Sequence, residues 1–465
     1  MRRRFECGIL AGALALLPLG CGETPREPPP PLPRAPDAEL LERIAAAAER
    51  VRSDTCFRER DDVSTCLWVA STHAPALDFA MTDSTGEAIL IADDFRAVSP
   101  LMLRYRNRLR GVLRTTEDGT VATAQVSWHV PLRFHEVMTS FSGPDFIPAE
   151  WLRSLRVPIS ETYGAHLGSG ATHGNFVFAL LVEANPRQPL VLWDDPGFRD
   201  VPLGAFCDTA TTPEALEPLR EHARRKADSL RAYLDTYNVR FINYSRGTTV
   251  HTLRELWEQR CHAPAPADAV LLAKLETEAP VLEVLFGSPG VFAAHAAGYV
   301  SSPEESPFDF PSERFPNRLR IGFFTALESG LDPMGRGAHE GLQGQPASQA
   351  VDVYLNSGVE PVRPFAYGPT PLLHASDFGL DVLPITHTST SWMAPLGLSR
   401  FIHLRERLYG GQPLTNERVA ALMDAMVPAA CEGQPEGRCR YQDPLRHGQT
   451  EAMRLGYRPV EYVMP

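Results

Sequence analysis

Thr212 to Gly247 reads TPEALEPLREHARRKADSLRAYLDTYNVRFINYSRG, and the fold class turns on how this stretch divides. Thr212 suits a helix cap, and Pro213 suits a first turn, where its missing N–H has no intrahelical partner to lose. Leu216, Leu219, Ala223, Ala227, Leu230, Leu234 and Tyr237 then recur at three- and four-residue steps, the spacing of one helical face. At Val239 to Ile242 the pattern becomes a short apolar run, as expected of a buried strand. A long amphipathic helix running straight into a buried strand is half of a repeating α/β unit.

Working outward, the same alternation continues. Ala88 to Ala92 (AILIA) is wholly apolar, the mark of a strand covered on both faces of a parallel sheet. Downstream, helices are expected over Thr249 to Gln259 and Ala267 to Glu278, and strands over Val281 to Phe286, Leu319 to Phe324 and Val351 to Leu355. Further helices should start near Trp392 and Asn416. The expectation is an α/β fold, a mostly parallel β-sheet with helices on both faces. The Arg-rich stretches Arg104 to Arg114 and Arg220 to Lys226 read as solvated faces.

The chain has 465 residues, 43% hydrophobic and 22% charged, an ordinary globular composition with enough apolar residues for a large core. Its formal net charge of -12 supplies no basic stripe to neutralise phosphates, so nucleic acid is excluded as an expected partner. Arg2, Arg3 and Arg4 precede a short apolar run from Gly8 to Leu19, too short to span a bilayer and typical of an export signal. The run ends Leu17-Pro18-Leu19-Gly20-Cys21, which resembles the lipobox of bacterial lipoproteins and makes Cys21 the lipidation candidate. Pro25 to Pro36 (PREPPPPLPRAP) reads as a stiff extended spacer. We divide the chain as signal segment 1–21, tether 22–37, N-terminal segment 38–87, main domain 88–427 and C-terminal extension 428–465. The expected location is the cell envelope through a lipid anchor, or the medium.

Disulfides persist outside the reducing cytosol, and the cysteine set fits export. Cys7 would leave with the signal; Cys56, Cys66, Cys207, Cys261, Cys431 and Cys439 remain, and neighbours could close as Cys56 to Cys66, Cys207 to Cys261 and Cys431 to Cys439. Spacing alone leaves that pairing open. No Cys-x-x-Cys or His-Glu-x-x-His spacing points to zinc, and no metal ligand set is assigned.

Three passages carry chemistry. Ser389-Thr390-Ser391-Trp392-Met393-Ala394-Pro395 resembles Gly-Thr-Ser-x-x-x-Pro, Thr172-His173-Gly174-Asn175-Phe176-Val177 resembles His-Gly-Thr-x-Val, and Ile89 to Phe95 (ILIADDF) resembles an apolar strand ending Asp-Ser/Thr-Gly. In the order Asp, His, Ser these are similar to the signature of subtilisin-like serine peptidases, the subtilases, over roughly Ala88 to Val427. The resemblance implies Ser391 as nucleophile at a helix N-terminus, His173 as general base and Asp93 as the carboxylate that orients it. Asp94 and Asp145 are alternatives for that carboxylate. It further implies that Asn243, Ser245 and Gly247, in a strand ending Ile-Asn-x-Ser-x-Gly, line the cleft and bind a peptide by strand addition. Val284-Leu285-Phe286-Gly287-Ser288 stands roughly where the family has Ala-Gly-Asn, which makes Ser288 the oxyanion donor. Structural calcium is possible by the same resemblance, with no site identified.

The long gap between Asp93 and His173 implies an insertion around Thr115 to Phe146, and Phe146 to Gly170 is a candidate cleft loop. Ser389, Phe95 and Ser288 depart from the family pattern. The expected function is a monomeric serine endopeptidase acting on polypeptides through an acyl-enzyme. Two alternatives stand beside it: a catalytically decayed surface binding lipoprotein, and an α/β-hydrolase in which Ser245 is the nucleophile of an elbow between strand and helix.

Overall fold

The computed structural model describes residues 35–95, 99–167, 172–300, 302–324, 350–356, 373–375, 378–384, 389–426 and 441–442. The signal segment, Cys21, the tether up to residue 34, and the Cys431 and Cys439 pair lie outside the described residues.

Thirteen strands are described: β1 (Trp68–Thr72), β2 (Ala88–Asp93), β3 (Leu109–Thr115), β4 (Val121–Thr123), β5 (Ser127–Pro131), β6 (Leu190–Asp194), β7 (Val239–Tyr244), β8 (Phe292–Ala296), β9 (Arg318–Phe324), β10 (Val353–Asn356), β11 (Leu373–Ala375), β12 (Val382–Pro384) and β13 (Tyr441–Gln442). Nine of them form one sheet in the order β13-β10-β9-β8-β7-β2-β6-β3-β4. Every neighbouring pair is parallel except β3 with β4. The fold is α/β around a mostly parallel sheet.

The chain starts this sheet in its middle. From β2 it goes out to β3, returns through β6, then crosses to β7 and continues outward through β8, β9 and β10. Strand β2 is therefore flanked by β6 and β7, on the two sides of a reversal in winding direction. Crevices that hold ligands open at the carboxyl ends of strands at such a point. Asp93 is the last residue of β2.

Both faces of β2 are covered. Ile89 and Ile91 point into one apolar cluster with the helices His173–Ala184 and Thr390–Tyr409, and Leu90 and Ala92 point into another with the helix Pro213–Thr236. Thr212 caps that last helix by accepting the Ala215 N–H, and Leu216, Leu219, Ala223, Ala227, Leu230 and Leu234 are buried along it. Each fully buried leucine contributes roughly 2 kcal/mol.

The structure corrects several expectations. Val281 to Phe286 is not a strand; it lies in the helix Ala279–Gly287, and the next strand is β8. A short, fully apolar run is equally compatible with a buried helix, and Pro280 in the first turn decides for the helix. Arg104 and Arg108 are buried, Arg104 beside Glu183, and Lys226 is fully buried with its Nζ 3.3 Å from Glu278 and 3.6 Å from Asp195. Arg224 and Arg225 are exposed and pair with Glu221. Residues 149–163 are helical and packed in the core rather than a loop. The helix Ala38–Arg52 buries Leu40, Ile44, Ala47 and Val51 in the same cluster as the helices His173–Ala184 and Thr390–Tyr409, so the N-terminal segment is part of the main core. The segment from Thr115 to Phe146 contributes β4, β5 and the helix Leu132–Ser140.

Two disulfides, Cys56 to Cys66 and Cys207 to Cys261, staple the chain. Among the described residues no helix is long and apolar enough to cross a membrane.

Candidate functional site

Strand alternation turns Asp93 toward the face that carries the two buried helices. Its carboxyl is 1% exposed and accepts the backbone N–H of Asp94 at 2.7 Å. Nδ1 of His173 lies 2.8 and 3.0 Å from its two oxygens. A neutral imidazole that donates from Nδ1 presents Nε2 as an acceptor on the opposite side of the ring. The His173 side chain is 38% exposed, so one nitrogen is anchored in the core while the ring reaches solvent.

His173 opens its helix, and the chain leaves no slack there. The Gly174 N–H donates to the Asp94 carbonyl at 3.2 Å, and the Thr172 hydroxyl donates to the same oxygen at 2.5 Å. A Cβ on Gly174 would meet that carbonyl at 2.6 Å and the Phe95 ring at 2.8 Å. Phe95 itself is core, and its N–H donates to Asp194 Oδ1 at 2.9 Å. Burial pushes the Asp194 carboxyl up even though it accepts that bond. The bulky residue after the strand is thus the floor on which the histidine helix rests.

Ser391 is the second residue of the helix Thr390–Tyr409, partly exposed at its N-terminus. Ser389 caps this helix, its Oγ accepting the Ser391 N–H at 3.2 Å. Trp392, the next residue, stacks on the His173 imidazole with ring centroids 5.0 Å apart and planes at 24°, and Phe176 braces the indole edge-on. The indole ties the start of the serine helix to the histidine that Asp93 holds.

Pro395 sits four residues beyond Ser391 inside the helix and has no N–H to give the Ser391 carbonyl. That carbonyl is satisfied from the sheet instead. The Ser245 hydroxyl donates to it at 3.0 Å, and the Asn243 side-chain amide donates to Ser245 Oγ at 2.9 Å. Asn243 and Ser245 are buried, and their side chains seat the serine helix. Gly247 is exposed. Strand β7 is paired on both sides, so only the chain beyond Tyr244 is open to an added strand.

Ser288 is not part of this cluster. It caps the C-terminus of the helix Ala279–Gly287, its hydroxyl donating to Val284 O at 2.6 Å, and it precedes β8 at the amino end of the sheet. Asp93 and His173 lie at the carboxyl ends, roughly 13 Å or more away along a strand of β8's length. Nor is Asp94 or Asp145 the histidine's partner: Asp94 serves through its backbone, and Asp145 is exposed.

Two contributors carry no local signal in the sequence. Trp392 lay in view beside Ser391, but its stacking needs the tertiary fold. Asp194 was hidden because nothing local links β6 to Phe95. Among the described residues no group of three or more His, Cys, Asp or Glu side chains is arranged to hold a metal ion.

Compared with protein-family models, with curated protein sequences and with solved structures, the chain gives no match to any of them.

Proposed function

We propose that the chain is a subtilisin-like serine endopeptidase, with Ser391 as nucleophile, His173 as general base and Asp93 as its orienting carboxylate. The observation that carries the reading is the His173 imidazole, held through Nδ1 by buried Asp93 and stacked on the residue that follows Ser391. In this reading Ser391 Oγ attacks the peptide carbonyl carbon and its proton passes to His173 Nε2. The tetrahedral intermediate collapses, the C–N bond breaks, and His173 returns the proton to the leaving amine. Water then repeats the sequence on the acyl-enzyme. Asp93, hydrogen-bonded to Nδ1, holds the ring and stabilises the imidazolium as it forms.

What favours Ser391 over Ser245 is that Ser245 is buried and its hydroxyl is committed to the Ser391 carbonyl. The chain around exposed Gly247, just past Tyr244, is the proposed place for a substrate backbone, and polypeptides are the proposed substrates. The two disulfides support an exported protein, held at the envelope by lipid on Cys21 or released.

A binding protein on the same frame is the second reading, favoured by one observation: the Ser391 N–H, a natural oxyanion donor, is taken by Ser389 Oγ. A fluorophosphonate probe and unfolded casein decide between them. The proposed enzyme labels on Ser391 and digests casein, and Ser391→Ala does neither. A folded wild type that neither labels nor digests leaves the binding protein.

A further inference from the structure

The Asp93 carboxylate fixes His173 at Nδ1, and a hydrogen bond at one nitrogen leaves the rest of a ring free to turn about it. With 38% of its side chain exposed, the ring meets solvent along part of its outline, and solvent gives no fixed support. The serine helix supplies that support. Trp392 lays its indole on the imidazole with centroids 5.0 Å apart and planes at 24°. The indole is itself held in place: Trp392 is 7% exposed, and Phe176 meets it at 5.6 Å and 64°. His173 and Phe176 stand three residues apart on one helix, the spacing of neighbours on one face. One turn of the histidine helix therefore grips the aromatic residue that follows Ser391, offering it a flat contact and an edge contact.

We infer that Trp392 is a positioning residue of this site, whose indole face holds the plane of the His173 ring and stabilises the positive charge that the ring carries once it has taken the Ser391 proton. The inference rests on the serine-hydrolase reading and deepens it. An aromatic face is negative at its centre, and a cation within about 6 Å is attracted to it, most strongly when the ring is tryptophan. A general base is neutral before proton transfer and cationic after it, so this attraction grows as the reaction proceeds. An interaction stronger in the transition state than with bound substrate raises kcat and leaves KM alone. The orienting effect acts in the same direction: Asp93 fixes the Nδ1 edge, the indole fixes the plane, and together they set the line along which Nε2 points. No bond to Trp392 is made or broken; the proton moves from Ser391 Oγ to His173 Nε2 and from there to the leaving amine.

The experiment compares wild type, Trp392→Phe, Trp392→Leu and Ser391→Ala by fluorophosphonate labelling, by steady-state hydrolysis of a fluorogenic peptide and by affinity for a peptide boronic acid, whose tetrahedral adduct with serine leaves the neighbouring histidine protonated. Melting temperatures are measured alongside. Trp392→Leu keeps an apolar side chain and loses the ring; kcat and boronate affinity are expected to fall together roughly tenfold, with KM unchanged. Trp392→Phe keeps a weaker aromatic face and should stay within about threefold of wild type. Charging the imidazole against the indole should also quench tryptophan fluorescence when the boronate binds the wild type, and Trp392→Phe should lose that quenching. A wild type that binds the boronate with no change in emission overturns the contact, whether or not the leucine variant folds. A folded Trp392→Leu enzyme with kcat within about twofold of wild type overturns the assignment while the Ser391 reading stands. Equal losses in the leucine and phenylalanine variants overturn it too, because the effect would then follow size and not the aromatic face. A change in KM alone does the same and makes Trp392 a substrate contact. A wild type that fails to label at Ser391 removes both readings together.

Discussion

The Ser245 hydroxyl donates to the backbone carbonyl of Ser391 at 3.0 Å, across 146 residues of sequence. Pro395 creates the need for that bond by withholding the N–H that an ordinary residue would offer the Ser391 carbonyl. A strand terminus and a helix start are thereby locked together through a vacancy in the helix ladder. The consequence is that the Ser391 backbone is referenced to the central sheet rather than to its own helix.

Removing the lock exposes its energetics. Ser245→Ala leaves a buried carbonyl without a partner and should lower stability by about 1–3 kcal/mol. Pro395→Ala restores an N–H four residues on, so the double variant Ser245→Ala/Pro395→Ala should be less destabilised than the two single changes summed. Urea unfolding of the four proteins measures the coupling. Strict additivity would mean that the two groups do not share the Ser391 carbonyl.

The cap at Ser389 competes for the Ser391 N–H. Ser389→Gly should cost only a few tenths of a kcal/mol in helix stability, on the order of 0.3. Releasing one hydrogen bond of about 1 kcal/mol should raise the rate of Ser391 acylation about fivefold. Pre-steady-state labelling with a fluorophosphonate reads the effect. Slower labelling by a fully folded Ser389→Gly protein would show that the cap aids the chemistry.

Gly174 sets two principles against each other. In an exposed helix, glycine to alanine gains up to about 1 kcal/mol. Here the new Cβ would sit 2.6 Å from the Asp94 carbonyl, a backbone atom that cannot swing aside, and overpacking of this kind costs about 1–3 kcal/mol. The clash should win. Gly174→Ala is expected to melt lower and to lose activity as His173 is pushed from Asp93. A variant more stable than wild type contradicts the close packing at this turn.

His222 is buried on the helix Pro213–Thr236, and neither ring nitrogen has a hydrogen-bond partner. Burial, helped by Lys226 and Arg225, pushes its pKa from the ordinary 6.5 down to about 4. The unfolded chain therefore binds the proton first, and stability declines as pH falls from about 6.5 toward 4. Above that window the residue is neutral in both states and contributes no slope. The loss reaches about 3 kcal/mol at the acid end. Urea midpoints at pH 7 and pH 4.5 should differ less for His222→Leu than for wild type. Equal differences would assign the acid sensitivity elsewhere.

Some of this site could be seen in one dimension. A wholly apolar strand ending in Asp93, a His-Gly pair opening a helix and a serine followed at four residues by proline are local patterns, each set by short-range backbone chemistry. They named residues that the fold brings to one end of the sheet. Their neighbours were read less well. The run Val281 to Phe286 ahead of Ser288 reads as a strand and is a helix, because an apolar run carries no period when every face is buried. Asn243 and Ser245 looked like cleft residues, because sequence does not say which way a polar side chain turns at a strand end. Arg104, Arg108 and Lys226 looked solvated, because a charge is cheap to bury only beside a partner, and Glu183, Asp195 and Glu278 are far from them in the chain.

The division follows from range. Helix caps, the Thr212 to Gly247 helix and strand and the apolar strand Ala88 to Ala92 depend on contacts within a few residues, so the sequence alone determined the α/β class. The strand order in the sheet, the stacking of Trp392 on His173 and the Ser245 bond to Ser391 were not legible locally, the last joining residues 146 positions apart. Such pairs are chosen only when the chain closes its large loops against one core, and their partners were decided by the tertiary structure.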